Sequence, residues 1–518
     1  MSLKLEVYAL LNNASRLCQD CPDAKELLAC LSEMRQRLEI PLRVAVVGIM
    51  KAGKSTFMNA LMGEDILYTG NLETTYTVGW FCYAPEPSIT VCFRDGETLA
   101  VPFDELEKWS VRSFEKENPR INNVKYLKIH YPAPILKHLE FIDTPGLNSI
   151  YGTDARNTLD FLSIKGSEDT LYEASTADAV IYAFNRTMAD FDKEILDSFH
   201  SGGEVFSSPI NSIGILTKAD AGGIWDIFSD MTPVEAAKAV TSNIMEKADM
   251  KNLLFSVLPV CAKVIEGCTQ LEETDWDVLK QISRIDSDSI KDMLCDAEQF
   301  INGEDAAQVC GGREDRERLI RLVGQYGILE ISKQLRLGKT KAEIEQILRD
   351  KCGIQDIQEL LENHFGNRTF LIKTQYVFKS IREILSRLLK KADTSRILKN
   401  ICEQINEDID LLISSVQSLK ELKLLQMYYN GQLSFVDADE EQDFLRVTGE
   451  YGRSVESRLG AGTGKRLEEL EQIAKDRADF WHGRAADWMM PGNYVEAAST
   501  LARSYETMYY HLNCLCEE

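Results

Sequence analysis

No stretch of this 518-residue chain reaches the about 18 to 20 consecutive apolar residues that a membrane span requires, so any contact with a bilayer is expected from the side. Positive charge is also short: 58 Lys and Arg stand against 82 Asp and Glu, a net charge of −24. A duplex nucleic-acid binder needs a basic face to neutralise phosphates, so this balance argues against one, and no nucleic acid is expected as a partner. It also opposes wholesale adsorption to anionic lipid, which only a local basic patch would override. No secretory leader precedes the 13 unevenly spaced cysteines, which read as reduced thiols. The expected location is cytoplasmic, with peripheral contact at the inner face of the cell membrane. Cys18-Gln19-Asp20-Cys21 and Cys514-Leu515-Cys516 would make a four-thiolate zinc site only if the chain ends met, and unligated thiols are expected instead. At this length two or three domains are expected.

What the chain does have is a phosphate loop. The run Gly48-Ile49-Met50-Lys51-Ala52-Gly53-Lys54-Ser55-Thr56 follows the apolar Leu42-Arg43-Val44-Ala45-Val46-Val47 and precedes the helical Phe57-Met58-Asn59-Ala60-Leu61-Met62. In such a loop the glycines let the backbone amides of Gly48, Met50, Lys51, Ala52, Gly53, Lys54, Ser55 and Thr56 curl around phosphates at a helix N-terminus. Lys54 would reach the β- and γ-phosphates, and Ser55 would ligate Mg²⁺. A second apolar strand, Leu139-Glu140-Phe141-Ile142, runs into Asp143-Thr144-Pro145-Gly146. There Asp143 would hold Mg²⁺ through water, and the Gly146 amide would sense the γ-phosphate. A third, Ser212-Ile213-Gly214-Ile215-Leu216, enters Thr217-Lys218-Ala219-Asp220, which selects the base. The Asp220 carboxylate accepts from both N1–H and the 2-amino group of guanine, whereas adenine offers no such donor pair. Lys218 would lay its aliphatic stem along base and ribose. A fourth strand, Phe255-Ser256-Val257-Leu258-Pro259-Val260, delivers Cys261-Ala262-Lys263, where a backbone amide and a lysine would touch the guanine O6.

The order of these pieces resembles that of Ras-like GTPases, but the chain between Ser55 and Asp143 is longer than a minimal domain of that kind needs. It holds a hairpin pattern, Ser88-Ile89-Thr90-Val91-Cys92-Phe93, a turn at Arg94-Asp95-Gly96-Glu97, then Thr98-Leu99-Ala100-Val101, with a further strand over Val124 to Tyr131. A closer resemblance is carried by Lys51 to Leu61, by Glu73-Thr74-Thr75-Tyr76-Thr77-Val78, by Asp143-Thr144-Pro145-Gly146 and by Leu216-Thr217-Lys218-Ala219-Asp220. On these residues the chain is similar to the bacterial dynamin-like proteins. The resemblance extends over roughly residues 41 to 375 and implies GTP hydrolysis after two GTPase domains meet, in a homodimer or with a related dynamin-like partner. It places the threonine that grips Mg²⁺ and the attacking water at Thr74, with Thr75 as the alternate register. Leu147 follows the Asp143-to-Gly146 motif, so the water-orienting glutamine of small Ras-like enzymes is missing. Lys51 occupies the loop position at which guanylate-binding proteins and atlastins carry an arginine finger and dynamin a serine. A lysine there either turns inward to offset charge, without arginine's fork, or stays solvated.

From about Asp315 onward helical periodicity replaces the strand signals, as in Ile354-Ile357-Leu360-Leu361 and Ile381-Ile384-Leu385-Leu388-Leu389. The N-terminal segment has the same character, through Val7, Leu10, Leu11, Leu27, Leu28, Leu31 and Met34. The expected fold is α/β: an enlarged Ras-like P-loop GTPase domain with a mostly parallel sheet and helices on both faces, plus an α-helical bundle built from N- and C-terminal helices. The expected divisions are 1–40, 41–338 and 339–518. Two stretches are candidates for surface contact. Arg368, Lys373, Lys379, Arg382, Arg387, Lys390 and Lys391 make a basic amphipathic stretch, either lipid-facing or the solvated face of a bundle helix. Phe480-Trp481-His482 and Trp488-Met489-Met490-Pro491-Gly492 make either a membrane-dipping tip, an assembly contact or a packed helix corner. Gly460-Ala461-Gly462-Thr463-Gly464-Lys465 imitates a second phosphate loop, but Arg466 stands where Mg²⁺ needs a hydroxyl, so an interhelical loop is expected.

The leading expectation is a dynamin-like GTPase with GTP/GDP and Mg²⁺ as its cofactors, in which dimerisation of GTPase domains moves the helical bundle during membrane association or remodelling. The alternative is a GTP-regulated assembly or clamp protein that acts on a protein partner without a membrane role.

Overall fold

The computed structural model describes residues 3–49, 51–63, 66–67, 77–110, 118–143, 177–185, 209–391, 394–429, 431–452, 454–462 and 464–517. Its chain divides into two units. One takes Arg43–Ser207 and Asn211–Glu362; the other takes Met1–Leu42, Ser208–Ile210 and Asn363–Glu518. The first described elements, helices α1 (Leu3–Gln19) and α2 (Lys25–Glu39), belong to the second unit.

The first unit is built on a nine-stranded sheet. Its strands in chain order are β1 (Leu42–Val47), β2 (Gly79–Tyr83), β3 (Ser88–Phe93), β4 (Thr98–Val101), β5 (Val124–Tyr131), β6 (Leu139–Asp143), β7 (Ala179–Phe184), β8 (Ser212–Leu216) and β9 (Ser256–Pro259). Their order across the sheet is β4-β3-β5-β2-β6-β1-β7-β8-β9. On one side the expected parallel sheet is present, since β1 pairs β7, β7 pairs β8 and β8 pairs β9 in parallel. Every residue of β7 and β8 is buried, the pattern of strands covered on both faces, which is why those runs are continuously apolar. The other side is mixed: β2 runs parallel to β5 but antiparallel to β6, and β3 is antiparallel to both β4 and β5. Burial alternates along β3, as expected where one face is exposed. Gly96, at φ +88, makes the β3–β4 turn where the sequence placed it, and Asp95 Oδ1 accepts from the Glu97 amide at 3.0 Å. Strands β2 to β5 therefore account for the enlargement.

Four helices of this unit matter for the site: α3 (Lys54–Met62), α4 (Ala262–Thr269), α5 (Arg313–Arg336) and α6 (Lys341–Lys351). The last begins at a capping box in which the Thr340 hydroxyl and the Glu343 carboxylate exchange backbone amides. It and the following α7 (Ile354–Leu360) group with the sheet, so the observed division falls after Glu362, where the sequence reading drew it after residue 338.

The second unit joins α1 and α2 to α8 (Asn367–Lys390) and α9 (Arg396–Ser415), and continues through α10 (Gln417–Tyr429), α11 (Ala438–Val447), α12 (Leu467–Ala485) and α13 (Gly492–Glu517). Val7, Leu11, Leu27 and Leu31 share one core with Val377, Ile381, Ile405 and Ile409, so the N-terminal helices do pack with the C-terminal ones. A second core gathers Phe444, Trp481, Tyr494 and Tyr505, with the buried Asp443 accepting from Trp481 Nε1 at 2.7 Å and from the Tyr505 hydroxyl at 2.9 Å.

This packing absorbs most of the basic stretch on α8. Lys373 is wholly buried and donates to the carbonyls of Arg37, at 3.0 Å, and Ile40, capping the C-terminal end of α2. Arg368 donates to Glu450 at 3.1 Å and to His364 Nδ1 at 2.8 Å, while His364 Nε2 donates to the Ile210 carbonyl at 2.6 Å. Arg382 pairs with Asp410, and Arg387 and Lys391 pair with Glu26. The bundle reading therefore holds for the buried Arg368 and Lys373, whereas Arg387 and Lys391 stay more than half exposed beside Glu26. Gly460 closes a short helix (Val455–Leu459) at φ +66, so the imitation phosphate loop follows a helix and not a strand. Among the described residues no helix is long and apolar enough to cross a membrane.

Candidate functional site

The phosphate loop leaves β1 at Gly48, where a Cβ would lie 2.2 Å from the Ala183 carbonyl oxygen of β7. Only glycine lets the backbone pass that close. Lys51 then adopts φ +62, and Lys218 adopts φ +52; they are the only non-glycine residues at positive φ among those described. Such conformations cost energy in side-chain-bearing residues and persist where surroundings hold them. Here the two hold each other. The turned carbonyl of Lys51 accepts from Lys218 Nζ at 3.0 Å and from Asn185 Nδ2 at 3.2 Å, while the Lys51 side chain is exposed. Burial pulls the Lys218 ammonium below its ordinary range, against the attraction of Asp220, and the nearby Lys51 charge pulls it the same way.

Thr217 ties the loop to the sheet from the other side. Its hydroxyl lies 2.5 Å from the Ala52 carbonyl and 2.9 Å from the Phe184 carbonyl, which also accepts the Thr217 amide at 2.7 Å. Gly53, at φ +81, turns the chain into α3, with Lys54 and Ser55 as that helix's first two residues. The buried Lys54 ammonium donates to the carbonyls of Gly48 at 3.1 Å and Ile49 at 3.3 Å. Burial lowers its pKa, opposed by the attraction of Asp143.

Asp143 ends β6 with 0% exposure, and neither carboxylate oxygen has a hydrogen-bond partner among the described residues. Desolvation pushes its pKa up to about 6, against the pull of Lys54. A carboxylate with two unsatisfied oxygens beside a phosphate loop and the start of α3 fits a hydrated Mg²⁺ with Ser55. Met50, Thr74, Thr75, Gly146 and Leu147 lie outside the described residues. No group of three or more His, Cys, Asp or Glu that could hold a metal occurs among the described residues, and Cys18 and Cys21 are free, buried thiols.

At the base end, the Asp220 carboxylate is mostly buried and lies near its own amide and the charges of Lys263 and Lys218; desolvation raises its pKa. The neighbouring tripeptide is more committed than its sequence suggests. The Cys261 amide donates to the Cys352 carbonyl at 2.9 Å, and Lys263 Nζ donates to the Ile320 carbonyl at 3.0 Å. Ala262 opens α4, where backbone amides have no partner within the helix. Sequence reasoning missed three further parts: Asn185, the carbonyls of Ala183 and Phe184, and the anchoring residue Asn59. Asn59 donates to Glu266 and to the Leu67 carbonyl, both at 2.8 Å, and accepts the amides of Ile66 and Leu67, fixing those two residues after α3. The polar residue directly after an apolar run was the available signal for Asn185.

Residues 44–219 match the model of the dynamin family. The isoniazid-induced protein IniC of Mycobacterium tuberculosis is 26% identical over 516 residues, covering 98% of this chain and 98% of that protein. The bacterial dynamin-like protein of Nostoc punctiforme is 36% identical over 126 residues, 23% of this chain and 18% of its own length. A solved chain from an oligomerised bacterial dynamin pair aligns with a TM-score of 0.34 and 15% identity, covering 100% of this chain and 76% of that one.

Proposed function

We propose that the chain, whose residues 44–219 match the dynamin family, is a bacterial dynamin-like protein that binds GTP and GDP with Mg²⁺ and hydrolyses GTP to GDP and phosphate. The observation that carries this is the fully buried Asp143 with both oxygens unsatisfied, beside Lys54 at the head of α3. Bound Mg²⁺ would supply charge to offset that on the β- and γ-phosphate oxygens, held by Ser55 and Asp143 together with Thr74 or, in the alternate register, Thr75. The loop amides from Gly48 to Thr56 orient the phosphates, and Lys54 exchanges its two loop carbonyls for phosphate oxygens. Asp220 accepts the guanine N1–H and 2-amino donors, Lys218 flanks the base, and the Ala262 amide faces O6. Lys51, exposed and one residue from Ala52, turns toward the phosphates and offsets charge that develops as the bond breaks.

Two GTPase domains meet to complete the site, and the cycle moves the helical unit. Membrane contact runs through Trp488 and Met489, which are 88% and 76% exposed between α12 and α13, more than helix-corner packing would leave. The burial of Lys373 and Arg368 inside the bundle weakens the other lipid-facing candidate and supports the assembly reading, without lipid, as the second possibility. Turnover measured against protein concentration, with and without anionic vesicles, tests the set. Specific activity that rises with concentration supports dimerisation, and activity absent at all concentrations refutes hydrolysis. Failure to sediment with vesicles under either nucleotide refutes the membrane role and leaves the assembly reading.

A further inference from the structure

Helix α5 is broken at Gly324, with φ +67 and ψ −178, a conformation confined almost entirely to glycine. Among the described residues, and apart from the helix's own backbone, a Cβ placed there meets one atom within 4 Å, Asp220 Oδ2, at 3.5 Å. The break is held in that position by three contacts around it. Lys263 Nζ takes the Ile320 carbonyl at 3.0 Å; the Leu322 carbonyl lies so near Gly267 of α4 that a Cβ there would sit 2.0 Å away; Trp225, just past Asp220, packs edge-on against Tyr326 with ring centroids 5.4 Å apart. Residues 320–326 are thus clamped by the segments that form the base end of the site. The Asp220 carboxylate takes no side-chain hydrogen bond among the described residues, and its Oδ2 borders the room that Gly324 leaves.

We propose that Gly324 is a specificity-determining position: the break in α5 walls the base slot and leaves room beside Asp220 for the N1–H and 2-amino donors of guanine. The proposal rests on the guanine reading of Asp220. A donor nitrogen sits about 2.9 Å from its acceptor oxygen, so a carbon fixed 3.5 Å from Oδ2 takes up part of the shell those donors use. Glycine there is a requirement of the ligand as well as of the backbone.

The test compares GDP, IDP (which lacks the 2-amino group) and inorganic tripolyphosphate on the full chain, on Gly324→Ala and on Gly338→Ala. Gly338 also has positive φ, +78, but nothing within 4 Å, so it reports the backbone cost alone. The unsubstituted chain and Gly338→Ala are expected to prefer GDP over IDP by about tenfold or more, as for the loss of a hydrogen bond to a charged group. In Gly324→Ala the GDP affinity falls by at least about tenfold and the GDP:IDP ratio contracts toward one, with tripolyphosphate binding unchanged. A folded Gly324→Ala that keeps the full ratio overturns the proposal. Should that variant not fold, hydrogen exchange on the unsubstituted chain decides: GDP, but not tripolyphosphate, must slow the amides of 321–327, and no GDP-specific slowing overturns it. A chain that prefers neither GDP over ADP nor GDP over IDP refutes the guanine reading itself, and this proposal with it.

Discussion

Replacing Asp143 by asparagine is expected to stabilise the nucleotide-free protein while weakening it as a nucleotide binder. An unfolded aspartate loses its proton near pH 3.9, whereas Asp143 in the folded chain keeps its proton to about pH 6. Between those values the folded state holds more protons than the unfolded one, so stability falls as pH rises, and the loss is complete above the folded pKa. At about 1.4 kcal/mol per tenfold difference in proton affinity, the penalty at pH 7.5 is about 3 kcal/mol, with the attraction of Lys54 already inside that figure. Asp143→Asn removes it. With a urea slope of about 3 kcal/mol per molar, the midpoint for the sheet-bearing unit, followed in EDTA, should rise by about 1 M at pH 7.5 and hardly at pH 4. In Mg²⁺ the same variant should bind GDP at least about tenfold more weakly, because an amide cannot order the metal's water as a carboxylate does. If parent and variant unfold at the same urea concentration at pH 7.5, and the parent's midpoint is flat from pH 4 to pH 7, the buried, unsatisfied carboxylate does not exist as described.

Thr217→Val removes the hydroxyl donor from the Ala52 carbonyl, while the Phe184 carbonyl keeps the Thr217 amide, and should weaken GDP binding about tenfold, read by titration with a fluorescent GDP. Lys51→Ala should lower turnover while Lys51→Arg retains or raises it; equal turnover in both removes Lys51 from catalysis. Lys373→Met leaves the Arg37 and Ile40 carbonyls without their donor and should destabilise the helical unit by about 2 kcal/mol in urea melts, with GDP affinity unchanged. Trp488→Ser with Met489→Ser should abolish vesicle sedimentation and leave basal turnover intact.

Elements whose chemistry is local were legible from the residues alone. The phosphate loop, Asp143 and the Thr217-to-Asp220 tetrad each announce themselves by spacing, and the Asp95-Gly96 turn fixed its hairpin. Strands β2 and β7 went unassigned. The first is only five residues long, whereas Ala179-Val180-Ile181-Tyr182-Ala183-Phe184 is an unbroken apolar run of the kind a buried parallel strand shows. That omission hid the part of β7 against which the phosphate loop is built. Other features depend on partners far along the chain. Nothing near Lys263 points to the Ile320 carbonyl, and helical periodicity cannot tell a solvated lysine from Lys373, which is turned inward onto backbone carbonyls. The break at Gly324 sits in a stretch whose pattern is helical throughout, so its position against Asp220 is visible only in three dimensions.

The bond from Lys373 to the Arg37 carbonyl spans 336 residues, and it has a consequence for synthesis. The α1–α2 pair is made before the sheet unit, and the helices that cover its apolar stripe, α8 and α9, only after it. At about 5 to 20 residues per second, that stripe waits roughly 20 to 70 s for its partners. Over that interval the sheet unit must complete its fold while an uncovered amphipathic hairpin hangs from its N-terminal end. The chain is therefore expected to need a holding chaperone early in translation, and a fragment ending before α8 should aggregate through α1 and α2, however well its GTPase sheet has formed.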